Sequence, residues 1–373
     1  MQDNQSMLHL YVLGPGVGES IVIRLPDGKW GVIDCFCNKG GSSQSSIDTF
    51  DFLQRKHVDA LEFLCLTHPH HDHYSGMIQL LENLRIKNFW QFPEMCGDDL
   101  LYLLQTFRQT SKEHEATALG SLLGLADRMR KQKQLDIEYV RGVSQIYPTS
   151  VTIGGSSPVS EIAIWALAPS SGISADYRSK ITACFDKDYR LLSKAPRHAY
   201  HNYISIALLM MYGDTHILLG GDTIIRSWKA TLQKIDNKSI LSVDFVKVGH
   251  HGSANANDLP LWELFSSKRK PIAVITPFVS SRLPRQNVLK LIRQHSSDLI
   301  STCPEVLEPR TRERYDLSGK NSQKKLATLK KLKCHSYITR SSLNTGICHV
   351  RFDNNGHGET EFLHIGNNFS ETL

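Results

Sequence analysis

The chain contains no run of 18 or more apolar residues, so a membrane-spanning helix is not expected. Its longest apolar stretch, Ile204–Tyr212, carries Ser205 and stops at Gly213-Asp214, and it reads as a buried strand. The start, Met1-Gln2-Asp3-Asn4-Gln5, lacks a basic segment followed by an apolar one. A secretory leader is therefore not expected, and a cytoplasmic location is. None of the eight cysteines forms a Cys-x-x-Cys pair, which argues against a zinc knuckle. Cys35 and Cys37 share one face of a strand, and reduced, mostly buried thiols are expected. No internal repeat or low-complexity block is present. Charge of either sign is not in strong excess: the formal net charge is +6 over 373 residues, which permits a polyanionic substrate without requiring one.

What is present is a globular composition, 40% hydrophobic and 21% charged. Strand patterns occur at Leu8–Leu13, Ser20–Leu25 and Trp30–Ile33, with Pro26-Asp27-Gly28 as a hairpin turn. Ser46–Gln54 reads as a helix, and Leu61–Leu66 as a buried strand. Residues 77–141 read as mainly helical, from Leu100, Leu101, Leu104 and Phe107 and from Leu119, Leu122, Leu123, Ala126 and Met129. Strands follow at Val151–Ile153, Glu161–Leu167, Ser205–Met211, His216–Leu219, Phe245–Val248 and Pro271–Thr276, then a helix at Val288–His295. Glu305–Lys333 is polar and basic, and Ser336–Phe362 again reads as β structure. This order implies a layered α/β fold with its polar clusters at strand ends.

Thr67-His68-Pro69-His70-His71-Asp72-His73 follows a strand and holds His68, His70, Asp72 and His73, residue types that ligate zinc and related divalent ions. On a strand-to-helix turn the first two can converge on one ion while the last two face a second. Paired ions roughly 3.5–4 Å apart generate hydroxide and clamp the oxygens of a displacement. Two further clusters complete a ligand set. Leu218-Leu219-Gly220-Gly221-Asp222 places at a strand tip a carboxylate able to bridge two cations. Val246-Lys247-Val248-Gly249-His250-His251-Gly252-Ser253 delivers imidazoles at another. Each alone has a plainer reading, a turn aspartate or a surface loop.

Together the spacing His-x-His-x-Asp-His, Gly-Asp and His-His-Gly-Ser resembles the metallo-β-lactamase superfamily, and within it the hydrolase domain of the ComEC-type DNA-uptake competence proteins. The resemblance extends to Gly16-Val17-Gly18-Glu19-Ser20, Val32-Ile33-Asp34, Leu167-Ala168-Pro169, Asn202-Tyr203-Ile204-Ser205 and Pro284 with Val288-Leu289. It implies a single αββα sandwich over 1–373, with core segments at about 8–80, 146–300 and 334–365. A helical insertion would span about 85–145 and a basic C-terminal insertion about 305–333. It also implies two divalent ions, zinc or manganese. His68 and His70 would hold one; Asp72 and His73, joined by His250, would hold the other; Asp222 would bridge them. His201 is the expected last ligand of the first ion, with His198 the alternative. Asp34 would orient a ligand histidine, and Asn202, Ser205 and Ser253 would stand behind the ligands. Asp72 and His251 are the candidate catalytic groups, His251 as a proton donor to the leaving group.

The function this implies is a phosphodiesterase or nuclease using a metal-activated hydroxide on nucleic acid or nucleotides. Lys247, Arg310, Arg312, Arg314, Lys324 and Lys325 would then contact phosphates. Two alternatives stand beside it. One is hydrolysis of a small ester, thioester or lactone. The other is a partner-controlled effector subunit of a multi-protein complex, with the insertions as docking surfaces.

Overall fold

The computed structural model describes residues 7–37, 48–92, 98–109, 112–148, 162–192, 198–307 and 346–364. Its strands are β1 (Leu8–Leu13), β2 (Ser20–Arg24), β3 (Trp30–Ile33), β4 (Ala60–Leu66), β5 (Arg85–Gln91), β6 (Asp136–Tyr139), β7 (Ser144–Tyr147), β8 (Ile162–Ala168), β9 (Ala207–Tyr212), β10 (Thr215–Leu219), β11 (Phe245–Lys247), β12 (Ile272–Ile275), β13 (Asp298–Ser301), β14 (Gly346–Phe352) and β15 (Gly358–His364). The helices are α1 (Thr49–Arg55), α2 (His71–Tyr74), α3 (Met77–Asn83), α4 (Asp98–Gln109), α5 (Glu113–Lys131), α6 (Ser171–Thr182), α7 (Ile225–Leu232), α8 (Leu259–Phe265) and α9 (Gln286–His295).

The strands form two mixed sheets, ordered β15-β14-β1-β2-β3-β4-β5-β6 and β13-β12-β11-β10-β9-β8-β7. Each sheet is antiparallel on one side and parallel on the other. In the first, β3, β4, β5 and β6 run parallel; in the second, β10, β11, β12 and β13 do. The period-2 geometry of a strand sorts side chains between two apolar clusters. Along β9 and β10, Leu208, Met210, Ile217 and Leu219 join the main core with the first sheet, while Ala207, Leu209 and Leu218 pack with Trp228, Trp262 and Leu289 of the covering helices. Helices thus cover a pair of sheets, as expected for the layered architecture.

The parallel strands position the site. Parallel neighbours end on the same edge, so β3 and β4 deliver Asp34 and Thr67-His68 side by side. In the second sheet β10 and β11 do the same for Asp222 and His250-His251.

Some elements differ from the sequence reading. The stretch 77–141 is not continuously helical. Arg85–Gln91 pairs parallel with β4, and Asp136–Tyr139 pairs with β5. The helical part of the 85–145 segment is therefore α4 and α5, a crossover between two parallel strands. A short run such as Arg-Ile-Lys-Asn-Phe-Trp-Gln sits between helix-like neighbours and is ambiguous by periodicity alone. Helices α6, α7 and α8 and strand β13 were not expected. Of the basic stretch, Pro304–Leu307 makes a 3-10 turn, while Arg310, Arg312, Arg314, Lys324 and Lys325 lie outside the described residues, as does Val151–Ile153. Among the described residues no helix is long and apolar enough to cross a membrane.

Candidate metal centre

Asp34 follows β3 in a left-handed conformation, φ 54°, which short polar side chains tolerate better than most. Buried at 1% exposure, its carboxylate accepts from Thr67 N (2.9 Å), Thr67 Oγ1 (2.7 Å) and His73 Nδ1 (2.7 Å). Thr67 Oγ1 spends its proton on Asp34 and accepts from His68 Nδ1 at 2.9 Å. One carboxylate therefore fixes the rings of both His68 and His73 and leaves the Nε2 lone pair of each facing inward.

Asp222 sits beyond Gly221, whose φ of 50° favours glycine. A Cβ there would lie 2.7 Å from Ser205 Oγ and 2.8 Å from Ile206 O. Ser205 Oγ accepts from Asp222 N at 2.9 Å, so Ser205 holds the strand tip rather than touching an ion. The two oxygens of Asp222 face different imidazoles. Oδ2 lies 3.7 Å from His68 Nε2 and 3.6 Å from His250 Nε2. Oδ1 lies 3.8 Å from His73 Nε2 and 4.0 Å from His251 Nε2.

After β11 the chain turns through His250 (φ 48°), His251 (φ 52°) and Gly252 (φ 77°), all left-handed. Two such non-glycine residues cost on the order of 1–3 kcal/mol each, a strain typical of functional turns. His251 is buried. Its Nδ1 donates to Thr276 O at 2.9 Å, and its Nε2 points at Asp72 Oδ2, 3.4 Å away. The expected grouping of His250 with Asp72 and His73 is thus corrected: His251 takes that place, because the double left-handed turn carries the second imidazole inward. The leaving-group role expected of His251 meets the same geometry. Its proton-bearing nitrogen is spent on a carbonyl, and the other is aimed at two carboxylates.

Lys247 cannot contact nucleic acid as expected. Its side chain is 0% exposed, bonded to the buried Glu19 carboxylate and to Val248 O (3.1 Å). Glu19 also accepts from Thr276 Oγ1 at 2.5 Å and lies 3.5 Å from His251 Nδ1. Burial pushes the Glu19 carboxyl up, but Lys247, His251 and His73 outweigh it and leave its pKa below the usual range. Gly18, beside it, has φ 71°, and a Cβ there would meet Asp72 O at 2.6 Å. This Glu19 brace was missed by sequence reading. The signal was its place in the Gly-x-Gly-Glu-Ser opening.

His201, the expected last ligand of the first ion, belongs to neither set of converging ligand atoms, although its ring meets His70 edge-on with centroids 5.9 Å apart. Tyr177 Oη meets its Nδ1 at 2.6 Å, Thr106 Oγ1 lies 3.4 Å from its Nε2, and its ring stacks on Phe107 with centroids 4.8 Å apart. His198 begins the same 3-10 turn, His198–Ile204, and its side chain is outside the described residues. Asn202 Nδ2 lies 3.1 Å from His250 Nε2. Ser253 caps the His250 turn through its backbone, its N donating to His250 O at 2.8 Å.

The assembled groups open into a cleft of about 430 Å³ lined by Phe36, His71, Asp72, Lys112, His250 and Phe278 among others. Ligand atoms converge within 4.8 Å of one another in two sets that could hold ions: His68, His70 and Asp222, then Asp72, His73 and His251. A third set, Glu19, Asp34 and His73, shares His73, whose Nδ1 is already bonded to Asp34. His73 Nε2, Asp222 Oδ1 and His251 Nε2 are buried without a hydrogen-bond partner. Buried polar atoms are rarely left so. Separations of 3.4–4.0 Å are too long for hydrogen bonds but near the spacing of two ligands on one ion, about 3.3 Å for bonds of 2.0–2.1 Å. The donor set therefore fits divalent ions. Its charge agrees. Burial disfavours a cationic His73, yet Asp72, Asp34 and Asp222 outweigh it and hold its pKa well above the usual value. Burial raises the Asp72 carboxyl too, but His73 and His251 outweigh that and hold it well below the carboxylate range.

Residues 13–91 match the family described as the metallo-beta-lactamase superfamily. The fold is the metallo-β-lactamase sandwich. The matched segment runs from the end of β1 to the end of β5 and includes Asp34 and the histidine motif of this sandwich. No curated protein sequence matches the chain. Among solved structures it is similar to CmlA, a diiron β-hydroxylase from Streptomyces venezuelae, at 12% identity and TM-score 0.41, covering 79% of this chain and 52% of that one. The chain thus spans about half of that protein. It is also similar to a diphosphatase of the PhnP family (12% identity, TM-score 0.38, 79% and 94% covered) and to the metallo-β-lactamase fold protein YhfI from Bacillus subtilis (10% identity, TM-score 0.39, 78% and 95% covered). Likeness at this level decides neither metal nor substrate.

Proposed function

We propose that the protein is a metal-dependent hydrolase with seats for two divalent ions, zinc or manganese, that cleaves phosphodiesters of a nucleic acid or nucleotide. One observation carries the metal reading: three buried, unpartnered ligand atoms, on His73, Asp222 and His251, face one centre. His68, His70 and Asp222 would hold one ion, and Asp72, His73, His251 and the other oxygen of Asp222 the second. Ions held there supply an activated water at neutral pH and charge to steady the oxygens of the reacting group. The protein's own part is orientation. Asp34 locks His68 and His73, Thr276 locks His251, and Glu19 with Lys247 braces the turn behind them. Phosphodiester cleavage is favoured because a two-ion seat suits in-line displacement and the motifs resemble the competence-type hydrolase domain. A second reading, a small ester, thioester or lactone, is supported by the apolar lining at Val17, Phe36, Phe278 and Leu283.

The test incubates the metal-loaded protein with linear and circular DNA, RNA and bis-p-nitrophenyl phosphate, and in parallel with lactone and thioester substrates. Phosphodiester cleavage that disappears in Asp222→Ala supports the first reading. Turnover of carbonyl substrates with every phosphodiester intact favours the second. Inactivity on all of them with metal bound points to a partner-controlled subunit.

A further inference from the structure

Among the described residues, four imidazoles face the Asp222 carboxylate within 4.0 Å, His68, His73, His250 and His251, and of these His250 alone belongs to neither set of ligand atoms. Its position explains an imbalance between the two seats. The second has Asp72, His73 and His251 besides the shared carboxylate. The first has only His68 and His70 besides it, because His201 is committed to Tyr177, Thr106 and Phe107. His250 Nε2 lies 3.6 Å from Asp222 Oδ2, the same oxygen that faces His68 Nε2 at 3.7 Å.

Asn255 sets the tautomer. Nδ1 lies 2.8 Å from Asn255 Oδ1, an atom that only accepts, so Nδ1 carries the proton. Nε2 therefore holds a lone pair, and Asn202 Nδ2 donates to it at 3.1 Å. An amide N–H thus sits where a cation would sit. Beside it, Asn202 Oδ1 is buried without a partner, so a 180° turn of that amide presents an oxygen in place of the N–H. The backbone supplies the rest. Consecutive left-handed residues send His250 and His251 to opposite oxygens of one carboxylate, Oδ2 and Oδ1.

The geometry points to His250 Nε2 as the missing protein donor of the first ion seat, in the place the sequence reading gave to His201. Each seat then has three donors of its own plus Asp222: His68, His70 and His250 on one side, Asp72, His73 and His251 on the other. This rests on the two-ion reading above.

The test measures ion content and affinity with zinc or cobalt alone, by elemental analysis and chelator competition, in the full chain. Wild type holds two ions. His250→Asn keeps a side chain that tolerates the left-handed backbone but cannot reach the ion. It holds one ion as before and the other more than about 100-fold more weakly. His201→Phe holds both with wild-type affinity. Two ions bound unchanged by His250→Asn overturn the inference, and so does loss of one ion in a folded His201→Phe. Fewer than two ions in wild type overturns it together with the two-ion reading. If His250→Asn does not fold, the cobalt-loaded wild type decides. Five hyperfine-shifted imidazole N–H signals, from His68, His70, His73, His250 and His251, support the assignment, and four overturn it.

Discussion

Asp34 Oδ2 takes the Nδ1–H of His73 and the hydroxyl proton of Thr67, each at 2.7 Å, and that hydroxyl in turn accepts from His68 Nδ1 at 2.9 Å. One buried carboxylate after β3 therefore sets a ring on each side of the centre. It touches no inward-facing nitrogen itself. Asp34→Asn keeps the shape but turns an N–H₂ or a weaker acceptor toward two donors. The expected result is a loss of about 10–100-fold in metal affinity with the fold retained. Chelator competition against the wild type measures it. Unchanged affinity shows that packing alone holds the rings.

Glu19 and Lys247 bond across 228 residues of sequence with both side chains at 1% exposure or less. Glu19→Gln strands an ammonium in the interior, and the expected cost is about 3–5 kcal/mol. Replacing both residues together, Glu19→Leu with Lys247→Met, recovers most of it, since the pair then needs no counter-charge. Urea unfolding of the metal-loaded proteins makes the comparison. A single mutant within 0.5 kcal/mol of wild type shows that Lys247 is reached by water.

How far the site could be read from sequence follows from how each residue is specified. His68, His70, Asp72 and His73 lie within one short turn after a strand, so spacing alone brings them together. Asp222 follows a buried strand that ends in glycines, and the left-handed backbone of Gly221 with the tight approach of Ser205 and Ile206 explains that glycine. The choice between His250 and His251 was not legible. It depends on two left-handed residues that ordinary propensities disfavour. The burial of Lys247 was hidden for another reason. Its partner Glu19 comes from the other end of the chain, so a lysine beside a histidine motif looked like a surface cation. His201 sat in a plausible register, but Tyr177 and Phe107 on neighbouring helices claim it, and such contacts carry no local pattern. Strand β5 was obscured by the helices that flank it.

His9 and His349 form a partly buried pair on β1 and β14, Nδ1 to Nε2 at 3.0 Å, with ring centroids 5.3 Å apart. Burial lowers both from 6.5 to about 4. His349, Arg24, Arg351 and Lys56 add to this for His9, and Lys56 and Arg351 add to it for His349. A folded pKa below the unfolded one means that the unfolded chain takes up the proton first. Stability from these groups is complete above pH 6.5 and falls as the pH drops from 6.5 toward 4. The slope is up to about 1.4 kcal/mol per pH unit for each histidine. His9→Gln keeps a hydrogen-bonding side chain without the titration. Its unfolding midpoint is expected to fall less steeply than that of wild type over this window, with the two curves parallel above it. Equal slopes throughout refute the assignment.

Chelation provides the sharpest check on the centre itself. The buried atoms His73 Nε2, Asp222 Oδ1 and His251 Nε2 have no hydrogen-bond partner, and a cation between them would supply one. On the proposed reading, metal binding therefore stabilises the fold. At free metal 100-fold above the dissociation constant the fold gains about 2.7 kcal/mol per ion, and a chelator removes that gain. Asp222→Asn separates this from a general salt effect. The amide is isosteric and keeps the backbone contact to Ser205, so the metal-free variant is expected within about 1 kcal/mol of metal-free wild type. It cannot bridge two cations, so added zinc or manganese raises its unfolding midpoint far less. Thermal denaturation with and without metal measures both quantities. A metal increment equal to that of wild type in Asp222→Asn means that the ions bind elsewhere, and the convergence of ligand atoms on Asp222 is then structural.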